Sequence, residues 1–191
     1  MLSKKLLTLP NLLTFYRIAS FPVVLAMALT GKESVFALLL IINLVTDVLD
    51  GLLARLLRMQ TEFGARLDSI ADIGTYILAV TGIFLFKADE FAPHITSFLV
   101  FLSLFIAANI LSLIRFRRFP SLHLYSWKIG GYLQGAFFIV LFAIGFFTEF
   151  YYIMICWGIL AFTEHIVIQL IIPEMKSNQK GLLWVLKNRH D

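Results

Sequence analysis

The chain has 191 residues, 60% of them hydrophobic and 15% charged, with a formal net charge of +4. A soluble domain is roughly half apolar and about a quarter charged, so this balance excludes a water-soluble fold and makes lipid the solvent for most of the surface. The modest charge predicts no nucleic-acid partner, and the single cysteine, Cys156, excludes an intrachain disulfide.

In chain order, Leu2–Leu7 carries Lys4 and Lys5 and is expected to lie on the membrane surface as an interfacial helix. The first apolar run, Pro10–Leu29, holds Arg17 and lacks a small-residue cleavage site, so no cleavable signal peptide is expected. Further runs follow at Val35–Leu49, Leu67–Phe86, Phe91–Ile114, Ile129–Phe147 and Phe150–Ile172. Most approach the ~20 residues a helix needs to cross a ~30 Å hydrocarbon core. The tail Pro173–Asp191 mixes lysines with Leu182, Leu183, Trp184, Val185 and Leu186, which suits a second interfacial helix. Links as short as Gly31–Ser34, Lys87–Glu90 and Phe147–Glu149 make consecutive spans antiparallel neighbours. The expected fold is therefore all-α. It is a polytopic membrane protein with six transmembrane helices in one bundle, a single domain over residues 1–191.

Of the 16 Lys and Arg residues, 13 fall at the termini or in the 50–66 and 115–128 connections. Lys32 and Lys87 stand on the opposite side, and Arg17 lies inside the first span. This asymmetry predicts cytoplasmic termini and places both basic connections in the cytoplasm.

The chemistry concentrates in Asp47-x2-Asp50-Gly51-x2-Ala54-Arg55-x8-Gly64-x3-Asp68-x3-Asp72. Asp47 and Asp50 are i and i+3 on the second span; Asp68 and Asp72 are i and i+4 on the third, so each pair shares a face. From Ser34 to Asp47, and from Phe86 back to Asp72, the helix rise is ~20 Å, which brings both pairs to one depth near the cytoplasmic boundary. Carboxylates there are costly without a bound cation. Oxygen ligands with no His or Cys favour Mg²⁺ or Mn²⁺, and four of them suit two such ions, an arrangement fit for phosphoryl chemistry. Gly51 and Gly64 remove side chains where a ligand must approach backbone, and Ala54 keeps the next turn open. Arg55 is placed to reach phosphate oxygens.

At all eight of these positions the stretch resembles the signature of the CDP-alcohol phosphotransferases, integral membrane enzymes of phospholipid synthesis. The resemblance implies displacement of CMP from a CDP-linked lipid, usually CDP-diacylglycerol, by the hydroxyl of a small acceptor alcohol. It implies that Asp47, Asp50, Asp68 and Asp72 hold two divalent ions and that Asp72 is also the general base. It assigns Gly51, Ala54, Arg55 and Gly64 to the nucleotide and phosphate pocket. A homodimer is implied too, with Gly130, Gly131 and Gly135 as small residues for close helix contact.

Two cues bear on the acceptor. Leu9–Arg17, reading LPNLLTFYR, resembles the opening of phosphatidylglycerophosphate synthases and their cardiolipin-synthase relatives. Ile73 stands where those enzymes commonly have Lys, and Leu67–Asp72 resembles the phosphatidylserine-synthase style of the motif. Glycerol 3-phosphate leads, with serine, inositol and inositol phosphate as alternatives. A phosphorylated acceptor calls for fixed cations, and the candidates are Arg17, Arg115, Arg117, Arg118, His123 and Lys128. The inner-loop cations among them also fit topology residues meeting anionic headgroups. Asn11 and Thr14 read as capping or packing the first helix, and Glu164 and His165 as an interhelical polar pair. A divalent-cation transporter is the alternative class, although it leaves Gly51, Ala54, Arg55 and Gly64 without a role. A membrane prenyltransferase would need a second separated Asp-rich motif.

Overall fold

The computed structural model describes residues 8–117, 124–173 and 180–187. The expected surface helix Leu2–Leu7, together with Arg118 and His123, lies outside them. The chain folds as two compact units, one drawing on Met1–Phe91 and Phe138–Gly145, the other on Ala92–Phe137 and Phe146–Asp191. Among the described residues all regular structure is helical.

In the first unit, α1 (Leu9–Leu29) starts at Thr8, whose hydroxyl accepts from Asn11 N at 3.4 Å, with Pro10 in the first turn. Both are strong start signals, because an N-cap oxygen satisfies an orphan N–H and Pro there loses no helical donor. α1 turns at Gly31, whose φ of 72° is the left-handed conformation glycine tolerates. α2 (Glu33–Leu56) and α3 (Glu62–Phe86) follow, and the three helices pack mutually. Thr61 caps α3, accepting from Gly64 N at 2.9 Å. A short α4 (Ala88–Phe91) closes the segment.

Helix boundaries differ from expectation around the motif. α2 continues from Leu49 to Leu56 and α3 begins at Glu62 instead of Leu67, so the inner connection shrinks to Leu57–Thr61. Hydropathy ends a span at its first charges; the backbone helix carries on because no proline interrupts residues 50–56 or 62–66.

Close packing sets the register of α2 against α3. A Cβ on Gly82 would overlap the rings of Phe36 and Phe142, so glycine alone admits Phe36, which is fully buried. At that end Lys87 Nζ lies 3.0 Å from Glu33 Oε1 and 3.6 Å from Glu90 Oε1.

In the second unit, α5 (Ile95–Phe116) packs on α7 (Thr148–Ile171), with Phe101 seated where Gly158 has no side chain. Gln169 Nε2 donates to Ala108 O at 3.1 Å across the pair. The start of α6 (Tyr125–Ala143) joins them through Trp127, whose ring lies 5.3 Å from Phe162 and 4.5 Å from His165. Glu164 accepts from Ser126 Oγ and from Leu182 N, the latter at 2.8 Å, so it does form an interhelical polar tie. His165 instead has neither ring nitrogen hydrogen-bonded and packs against Trp127. The tail helix α8 (Leu182–Lys187) buries Val185 against Leu124, Ile168 and Ile172, while Leu183 stays exposed.

Among the described residues, five helical stretches are long and apolar enough to cross a membrane: Leu9–Leu29, Glu33–Leu56, Phe63–Phe86, Ala88–Phe116 and Thr148–Ile171. The chain is thus an integral membrane protein. The expected fifth span, Ile129–Phe147, overlaps a 19-residue helix, α6, that is not among these five: its first turns carry Ser126, Lys128 and Gln134, which dilute its apolar character.

Candidate active site

The site lies where α1, α2 and α3 meet. On α1, Asn11, Thr14 and Arg17 recur every three residues, share a face, and are all buried. α2 brings Asp47 and Asp50, and α3 brings Asp68, Asp72 and, one turn further, Thr75. The two acidic pairs meet as their common depth predicted.

They meet around a guanidinium. Arg17 Nη1 lies 2.6 Å from Asp47 Oδ1, 3.4 Å from Asp50 Oδ2 and 3.1 Å from Asp68 Oδ1. Its Nη2 lies 2.6 Å from Asp72 Oδ1 and 3.5 Å from Thr75 Oγ1. Thr14 Oγ1 donates to Asp50 Oδ2 at 2.9 Å. The Arg17 side chain is 1% exposed and that of Asp50 4%, whereas Asp47 is 38%, Asp68 40% and Asp72 53% exposed. Asp50 is therefore the floor of the site and Asp72 its open edge.

One guanidinium cannot neutralise four carboxylates, and the remaining negative charge is the electrostatic signature of a cation site. Ligand oxygens of Asp47, Asp50 and Asp68 all lie within 4.8 Å of one another. An octahedral ion with bonds of ~2.1 Å holds its ligand oxygens about 3.0 to 4.2 Å apart, so the donor set fits Mg²⁺ or Mn²⁺ in chemistry and, with a slight contraction, in size.

The other motif residues are placed as follows. Gly51 and Ala54 are half-buried along α2. Arg55 is exposed, and its Nε donates to Gly51 O at 2.9 Å, so the side chain folds back on its own helix. Gly64 is pressed against α1: a Cβ there would stand 2.6 Å from Asn11 Oδ1 and 3.0 Å from Thr61 Oγ1. Its missing side chain thus admits Asn11.

Of the cations considered for an acceptor, Arg17 is in the site. Arg115, Arg117 and Lys128 belong to the other unit. There Arg115 Nη2 donates to Ile172 O at 3.1 Å, Arg117 caps α5 in a left-handed turn, and Lys128 lies over the Tyr125 ring.

Sequence reading missed three contacts: the hydroxyls of Thr14 and Thr75, and the guanidinium at the centre of the aspartates. A signal for the last existed. Arg17 precedes Thr30 by ~20 Å of helix rise, the same depth as the aspartates measured from Ser34 and Phe86.

The family model described as CDP-alcohol phosphatidyltransferase matches residues 7–165. The CDP-diacylglycerol–glycerol-3-phosphate 3-phosphatidyltransferase 2 of Arabidopsis thaliana is 41% identical over 78 residues, 37% of this chain and 32% of that protein. An enzyme of Cereibacter sphaeroides named CDP-diacylglycerol–glycerol-3-phosphate 3-phosphatidyltransferase is 42% identical over 77 residues, 38% of this chain and 35% of its own length. A cardiolipin synthase (CMP-forming) of Oryza sativa subsp. japonica is 40% identical over 75 residues, 36% of this chain and 22% of its own. The chain thus spans about a third or less of the length of these curated relatives. No solved structure matches it.

Proposed function

The chain belongs to the CDP-alcohol phosphatidyltransferase family, and on that premise we propose that it moves a phosphatidyl group from CDP-diacylglycerol to glycerol 3-phosphate, releasing CMP. The observation that carries this reading is the meeting of Asp47, Asp50, Asp68 and Asp72, from two helices, around one buried point. The names of the glycerol-3-phosphate enzymes among its relatives support the acceptor, as does the LPNLLTFYR opening of α1.

Asp47, Asp50 and Asp68 would hold the divalent ions, with Asp72 completing the set at the open edge. Mg²⁺ or Mn²⁺ there supplies charge neutralisation of the donor diphosphate and of the departing CMP. Asp72, the most exposed carboxylate, accepts the proton of the acceptor hydroxyl. The acceptor oxygen then bonds to the phosphorus that bears diacylglycerol, and the bond from that phosphorus to the CMP oxygen breaks. Gly51, Ala54 and Arg55 line the nucleotide side, where Arg55 would exchange its bond to Gly51 O for phosphate oxygens. Gly64 contributes by letting Asn11 close the wall behind.

The reading includes six spans, with α6 as the fifth, the Leu2–Leu7 interfacial helix, cytoplasmic termini and site, one catalytic domain over residues 1–191, and a homodimer. The distribution of Lys and Arg supports the orientation. A site at that depth leaves the donor's acyl chains in lipid while its nucleotide reaches water.

The test is CMP release by purified protein in detergent or nanodiscs, with Mn²⁺, CDP-diacylglycerol and one acceptor at a time. Release with glycerol 3-phosphate is expected. Release with serine, inositol or inositol phosphate alone would overturn the acceptor, and no release with any of them would overturn the reaction.

A further inference from the structure

Arg17 is the feature of the site that the proposed chemistry leaves without a task. Its Nη1 lies within 3.4 Å of Asp47, Asp50 and Asp68 at once, the three residues whose oxygens are spaced for one metal ion. A guanidinium nitrogen and a divalent ion seeking the same three carboxylates compete for the same oxygens, by charge and by space. We propose that Arg17 is a tethered internal cation: it holds the four aspartates together in the metal-free protein and gives up the Asp47–Asp50–Asp68 triad as the divalent ion enters. The inference rests on the metal-dependent reading above and adds a residue that sets metal affinity.

Two further observations support displacement over a fixed brace. The two terminal nitrogens divide the aspartates, Nη1 on the triad and Nη2 on Asp72 and Thr75, so the triad can be released while the second nitrogen keeps its partners. The third donor, Nε, is buried with no hydrogen-bond partner. A fully satisfied brace would use that donor, since leaving it unmet in the interior carries a penalty. The seat on α1 suits the role: Arg17 is buried, with Nη2 3.5 Å from Thr75 Oγ1, so it stays within reach of the site.

The sign of one measurement separates this from a structural role. Mn²⁺ binding to the full chain in nanodiscs, without donor, is followed by loss of the free-ion electron paramagnetic resonance signal for wild type, R17Q and R17K. R17Q is expected to bind Mn²⁺ about tenfold tighter or more, because a competing cation has gone. R17K keeps the charge on one nitrogen that cannot face both groups, so an intermediate affinity is expected. Thermal unfolding should show Mn²⁺ raising the Tm of R17Q more than that of wild type. Equal or weaker Mn²⁺ binding by R17Q, or by R17K should R17Q not fold, overturns the proposal and leaves the metal site standing. No Mn²⁺ binding by any of the three, with or without CDP-diacylglycerol, overturns the metal-dependent reading and this inference with it.

Discussion

Lys87 Nζ and Glu33 Oε1, 3.0 Å apart, tie the end of α3 to the start of α2 at the end of the helix pair opposite the aspartates. From Glu33 to Asp47 and from Asp72 to Lys87 the helix rises by similar amounts, ~21 and ~22 Å. The ion pair at one end and Arg17 at the other therefore pin one antiparallel register. Removing the pair tests whether that register matters to the site. E33Q and K87M are each expected to lower stability by only about 0.2–1 kcal/mol, the range for a partly exposed pair. They should leave Mn²⁺ affinity within about twofold, since the Arg17 end still holds. A larger loss of metal binding would mean that register at the site depends on the distant tie.

The same pair has a pH signature. The hydrogen bond with Glu33 holds the Lys87 ammonium above its ordinary range, against a smaller opposing effect of burial. A raised folded-state value means its contribution is full below the unfolded value of ~10.4 and is lost as pH rises through the folded one. Thermal scans from neutral to strongly alkaline pH should show wild type losing stability relative to K87M only in that upper window.

The four aspartates are expected to separate by depth. D50N alters the buried floor, where Thr14 and Arg17 both point, and should cost stability and Mn²⁺ affinity together. D72N alters the open edge. CMP release should fall by about a hundredfold or more, the scale of losing a general base, while Mn²⁺ affinity changes far less because Asp47, Asp50 and Asp68 remain. Equal loss of affinity in both variants would count against this division.

The two motif glycines should respond differently. G64A places a methyl 2.6 Å from Asn11 Oδ1, so α1 must shift or Asn11 must turn, at an expected cost of about 1–3 kcal/mol. G51A meets only Arg55 Nη2 at 3.9 Å, ordinary contact, and should fold as wild type does. Its effect belongs in the KM for the CDP-lipid. A G51A protein with unaltered KM and a G64A protein with unaltered Tm would reverse these assignments.

Chelation gives a direct check on the cation. EDTA is expected to abolish CMP release, with Mn²⁺ or Mg²⁺ restoring it. It should not unfold the protein, because Arg17 already pairs all four carboxylates. A cooperative unfolding transition on chelation would show instead that the ion is needed to hold the helices.

Much of this protein is written in local pattern. Hydropathy marks the apolar runs, and the i, i+3 and i, i+4 spacings put each aspartate pair on one face. Helix rise alone brings both pairs to one depth, because rise per residue hardly varies. The tertiary structure decided the rest. Which face of α1 turns inward depends on how it packs on α2 and α3, and that rotation brings Arg17 to residues 30 to 55 positions away. The helices also run past the edges that hydropathy assigned, since a charge ends an apolar run but need not end a helix. The same packing also made Gly64 a seat for Asn11, because a close approach between two helices is a property of both and is visible in neither sequence segment alone.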